Sequence, residues 1–248
     1  MIRPAAKIER SRPRFGDRAM LRRSTSRRID GLWIGSSIAD RADAEASLSR
    51  VERGLALIGS HDPVRYRRML RDLEHIWVHL VAGSVAQFDD ALLACTLDER
   101  FVLDEATSPE LIAAAIVHEA THARLWRCGL GYEEAIRHRV EAICVRREIA
   151  FARKLPDGDI VRDQAERTLT LCSDPGYWSN AAFAERYPIE VEETFRYLGV
   201  PEILIRALLA AWRWRVAARS FFAAYRRRAD ETQRSMRRIT SSSCSSVL

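Results

Sequence analysis

Apolar positions along the chain recur mostly at helical spacing. From Asp40 to about Ile58 an Ala-rich run sets Leu48, Val51, Leu55 and Ile58 three and four residues apart, which predicts an amphipathic helix closed by Gly59. Asp62-Pro63 restarts a shorter helix, since proline suits a first helical turn. The stretch "HIWVHLVAG" at 75 to 83 is short and β-branched and predicts a strand, and "LLACTL" and "RFVLDE" predict one or two more. Helical spacing returns in "TSPELIAAAIVHEATHARLWRCGLG". There Thr107 and Glu110 form a capping box, Pro109 fits the first turn, and Gly129 and Gly131 supply the stop. The following "YEEAIRHRVEAICVRREIAFARKL" predicts a second helix running back antiparallel. "SDPGYWSN" predicts a turn anchored by Trp178, and residues 201 to 228 predict a last helix. The expected fold class is α+β, mainly helical, with a small β-sheet.

Charge divides the chain. The total is +6, but residues 1 to 28 carry +8 and residues 201 to 248 carry +7, leaving −9 for residues 29 to 200. A fold that tracks nucleic acid carries its positive charge on the folded face, so nucleic acid is not an expected partner. Residues 1 to 28 lack helical or alternating periodicity and are expected to be a disordered basic arm. Residues 29 to 200 form the expected domain, and residues 229 to 248 an Arg/Ser-rich tail without fixed structure. In the 201–228 helix, Arg206, Arg213, Arg215 and Arg219 each cost about 2.5 to 3.5 kcal/mol near a bilayer centre, which argues against spanning. That helix is expected to pack on the domain or on a partner, and peripheral membrane contact stays open as an alternative. The cysteines, five in number and without paired spacing, do not suggest a disulfide framework; with no secretory signal at the N-terminus, a cytoplasmic protein is expected.

The chemistry concentrates in "HEATH". His118 and His122 are one helical turn apart and can reach one ion from the same face, while Glu119 lies about 100° round, beside the ion rather than on it. Two neutral imidazoles and a carboxylate are a donor set for zinc that leaves one position open, and zinc lowers the pKa of a coordinated water to about 7. Glu119 is then the general base that takes the water's proton. If the turn is "CGLG", position 120 faces about position 139, which puts His138 and Glu141 in reach as a third ligand. Glu148, about 13 Å further along, is out of reach. A carboxylate is the commoner partner of two histidines, which favours Glu141. His138, Tyr132 and Tyr177 are candidates to donate a hydrogen bond during turnover, with packing as their ordinary role. His75 and His79, four apart on a strand, read as core or surface residues.

HEATH followed by Glu141, separated from His122 by 18 residues, resembles the gluzincin class of zinc metallopeptidases over roughly residues 75 to 155. The resemblance implies a zincin-like active-site helix hairpin beneath a sheet whose edge strand holds an extended peptide. It implies Zn2+ on His118, His122 and Glu141, Glu119 as catalytic base, and a peptide or protein as substrate. The metzincin pattern fails, because Leu125 and Cys128 stand where it needs glycine and histidine. The gluzincin pattern also departs at Val145, where an aspartate often braces a histidine. The alternative is a catalytically silent zinc-binding protein whose basic ends engage a partner.

Overall fold

The computed structural model describes residues 9 to 13, 15 to 212 and 214. Its contacts divide the chain into one unit up to Val191 and a second from Glu192. The first unit is mainly helical and carries a mixed sheet. Its elements are α1 (Phe15–Arg23), β1 (Thr25–Ile29), β2 (Leu32–Ser36), α2 (Arg41–His61), α3 (Pro63–Asp72), β3 (His75–His79), β4 (Ala86–Asp89), β5 (Ala94–Asp98), α4 (Glu99–Leu103), α5 (Pro109–Arg127), α6 (Glu134–Ala152) and α7 (Asp159–Leu171), with α8 (Asn180–Tyr197) crossing into the second unit.

The five strands lie in the order β1-β2-β3-β5-β4. The centre, β2-β3-β5, is parallel, and both outer strands run antiparallel to their neighbours. One face presents Ile34, Ile76, Val78, Cys95 and Leu97 to Leu48, Val51 and Leu55 of α2 and to Ile112, Ile116 and Ala120 of α5, forming the main core. At roughly 1.5 to 3 kcal/mol for each fully buried large aliphatic side chain, this face fixes α5 against the sheet. Gly54 allows α2 to lie close to α5, since a Cβ there would stand 3.2 Å from Ile112 Cγ2 and 3.3 Å from the Ala113 nitrogen. The opposite face carries Trp33, Trp77 and Ala94, covered in part by Leu21 of α1. Gly35 makes room for the Trp33 ring, which would lie 2.1 Å from a Cβ at that position.

Several expectations change. The N-terminal segment is not an unstructured arm over its described length, because it supplies α1 and the edge strand β1. Its arginines find acidic partners on the fold. Arg27 pairs with Glu45 and Glu52, one helical face of α2, and Arg10 with Glu74 at 3.3 Å. The separation of charge along the sequence is thus brought together in space. "RFVLDE" is helical rather than extended, since Asp98 ends β5 and its carboxylate accepts from the Arg100 and Phe101 amides as the cap of α4. Helix α2 runs through Gly59 and stops only at Asp62, which also caps α3. The cap of α5 is Ser108 rather than Thr107, with Pro109 at the first turn as expected, and Gly129 turns the chain at φ +81°.

Trp178 anchors the 173–180 turn, its ring against the α7 cluster and its Nε1 donating to the Leu171 carbonyl at 3.2 Å. Beyond α8, residues 202 to 212 are helical, and Glu202 there bridges Arg196 and Arg206. The rest of the expected C-terminal helix, the tail from 229 and residues 1 to 8 lie outside the described residues. No helix among the described residues is long and apolar enough to cross a membrane.

Candidate metal centre

Helix α5 buries Ile112, Ile116, Val117 and Ala120 against the core. That choice of face turns His118 and His122 towards α6. Their Nε2 atoms stand 3.1 Å apart. Glu141 of α6 lies across from them, with Oε2 at 3.2 Å from His118 Nε2 and Oε1 at 3.4 Å from His122 Nε2. Two donors held about 2.05 Å from a tetrahedral ion are separated by about 3.3 Å. The separation of the two histidine nitrogens matches that spacing, while Glu141 offers a different oxygen to each of them. His138, the other candidate third ligand, is not in the group; its Nδ1 is buried without a hydrogen-bond partner.

The surroundings orient the donors. Glu148 accepts from His118 Nδ1, which orients the ring and leaves Nε2 facing Glu141 and His122. This carboxylate does the bracing for which position 145 holds only a buried valine. An antiparallel count from the turn puts Glu148 too far away. Side chains on a helix tilt towards its N-terminus, so Glu148 covers the turn before its own Cα and reaches His118 from there. On the other side, the Tyr132 hydroxyl donates to Glu141 Oε1, and its ring meets His122 edge to face at 5.5 Å. Arg137 stacks 5.0 Å from both the Tyr132 and Phe183 ring centres. It also donates to the Trp178 carbonyl at 2.8 Å and Asn180 Oδ1 at 3.0 Å. The turn at 173–180 and the start of α8 therefore hold Tyr132 in place. Nothing in the spacing of Arg137 and Phe183 along the sequence announces this cluster.

A sulfur donor also converges on the histidines. The Cys144 Sγ lies within 4.8 Å of a ligating atom of each. Without an ion, the electrostatics are those of a buried ion-pair cluster. Burial works against a charge on His118, but Glu141 and Glu148 outweigh it and hold its pKa well above the usual value. Burial likewise works against a charged Glu141, and the two histidines overcome it to draw its pKa down. Burial raises Glu119, with the histidines partly offsetting. Burial and then Glu141 raise Tyr132, so its phenol stays protonated.

One edge of the sheet packs on the end of α5. Strand β4 ends the sheet, and Phe88 on it packs against Trp126 of α5 at 6.3 Å. His75 and His79 sit elsewhere, on β3, turned to the Leu92 and Leu80 carbonyls at 2.9 and 3.0 Å. His118, His122 and Cys144 of α6 thus form a group able to hold a metal ion, and the geometry alone does not name the metal. No protein-family model, curated protein or solved structure matches this chain.

Proposed function

We propose that the chain is a zinc-dependent hydrolase of the gluzincin kind, a metallopeptidase whose substrate is a peptide or protein. The observation that supports this reading is the convergence of His118 and His122, their Nε2 atoms 3.1 Å apart, with a Glu141 oxygen within 3.4 Å of each. Bound there, zinc would polarise the scissile carbonyl and lower the pKa of a water to about 7.

The chain's own residues do the rest. Glu119 is 6% exposed and next to His118 in sequence, beside the donors rather than among them. Burial lifts its pKa towards the range in which a carboxylate can take a proton from water and return it to the departing amine. Tyr132, held protonated, donates its one hydroxyl proton to Glu141 Oε1 and so positions that carboxylate. Glu148 keeps the His118 ring in its ligating orientation. An extended peptide could add to the outer side of β4, which no strand among the described residues covers and whose Phe88 packs on Trp126 of α5.

The test is Glu119→Gln in zinc-loaded protein, assayed against a broad peptide library. The amide is nearly isosteric and Glu119 is not a ligand, so zinc content should stay at one per chain while turnover falls by about 10² to 10⁴. Equal turnover by both proteins would remove Glu119 from the mechanism. Absence of stoichiometric zinc in the unaltered protein would remove the reading as a whole.

A further inference from the structure

The buried cysteines differ in their surroundings. Cys95 and Cys172 sit inside apolar clusters of the core, and Cys144, just as deeply buried at 0% exposure, belongs to none of those clusters. Its sulfur instead lies within 4.8 Å of ligating nitrogens of His118 and His122. We propose that Cys144 is a fourth protein ligand, so that the resting ion is held by His118, His122, Glu141 and Cys144 in a closed shell. This rests on the metal-binding part of the reading above and not on hydrolysis.

The arrangement of the two helices favours it. Helix α5 offers two donors four residues apart, and α6 offers two donors three residues apart, so each helix contributes a pair separated by about one turn. Pairs of this kind on facing helices can supply the four corners of a tetrahedron. A sulfur at about 2.3 Å and a nitrogen at about 2.05 Å from one ion stand about 3.6 Å apart. Each sulfur–nitrogen separation therefore has to shorten by no more than about 1.2 Å. One carboxylate and one thiolate also cancel the charge of a divalent ion, which matters in a shell shut off from solvent. Such a shell has no place for water. Cys144 then sets whether the centre rests closed or stands open to a substrate.

X-ray absorption at the zinc edge of the full-length, zinc-loaded protein tests this directly. The expected shell has one sulfur at about 2.3 Å and three nitrogen or oxygen neighbours at about 2.0 to 2.2 Å. In Cys144→Ser the sulfur should vanish while zinc stays bound. Cobalt in place of zinc should show a thiolate-to-metal charge-transfer absorption that the same variant lacks. A wild-type shell of nitrogen and oxygen alone overturns the inference and leaves the three-residue centre standing. A sulfur that persists in Cys144→Ser overturns it too, since another cysteine would be the source. A protein that takes up no zinc at all overturns both this inference and the function proposed above.

Discussion

Replacing Glu148 by glutamine probes the brace without removing a ligand. Its side chain is 17% exposed and its partner is His118 Nδ1. The carboxylate does two things: it holds the ring in the plane that aims Nε2 at Glu141 and His122, and it makes the imidazole a stronger donor by drawing on the Nδ1 proton. Glutamine keeps the volume of the side chain. Its oxygen can still accept from Nδ1, but without charge, and its amide group can instead donate to Nδ1 and stabilise the wrong tautomer. Loss of such an outer partner typically costs 10- to 100-fold in metal affinity, which is about 1.4 to 2.7 kcal/mol. Competition against a chromophoric chelator at pH 7 should therefore show zinc affinity weaker by that factor, with the helical circular dichroism unchanged. Glu148→Ala should fall at the upper end, and Glu166→Gln on the exposed side of α7 should change nothing. An affinity within two- or threefold of wild type in both Glu148 variants would refute the argument. It would mean that packing on α6, rather than the carboxylate, sets the His118 ring.

Two further outcomes are expected. In the metal-free protein, the raised pKa of His118 contributes stability that is fully present below about pH 6.5 and lost as pH rises through the raised value. The lowered pKa of Glu141 contributes stability present above about pH 4.3 and lost as pH falls through the lowered value. Zinc must displace the His118 proton, and the Cys144 thiol proton as well where that sulfur binds, so calorimetry at neutral pH in buffers of different ionisation enthalpy should show about one proton released per zinc without the sulfur and about two with it; none released would contradict the charged cluster. Gly54→Ala should destabilise by about 1 to 2 kcal/mol in urea unfolding. The new methyl meets Ile112 and the Ala113 backbone at 3.2 and 3.3 Å, and this overpacking exceeds the gain of somewhat under 1 kcal/mol in helix propensity. A more stable variant would show that α2 and α5 can part at no cost.

Helices with their own start and stop residues are legible in the amino-acid sequence. The Asp40 cap of α2, the proline at the start of α5 and the glycine after it are local signals, and local chemistry decides them. The strands are less legible because pairing, not propensity, makes them. "TSRRI" is polar up to its last residue, Ile29, and its first four residues read as tail, yet it is a strand paired with β2. Its Arg27 is meaningful only beside Glu45 and Glu52, two turns apart on a helix that begins fourteen residues later. "RFVLDE" has the composition of a strand, and the carboxylate of Asp98, one residue before its helix, overrides that composition.

The candidate site shows the same division more sharply. His118, Glu119 and His122 stand on one uninterrupted helix, so 3.6 residues per turn settles which of them face the same way. Their partners come from α6 and depend on how two helices meet, which the sequence specifies only through the length of the turn. An antiparallel count gives axial position to within a turn, and it ignores the reach of the side chain. Here that reach is what matters: Glu141 and Glu148 stand two turns apart, about 10.5 Å along the axis, yet both touch His118 because the ring presents one nitrogen to each. Cys144 lies between them on the same stretch of helix. One face of α6 therefore brings Glu141, Cys144 and Glu148 to the histidines, and only the packing of the two helices decides which of them each histidine meets.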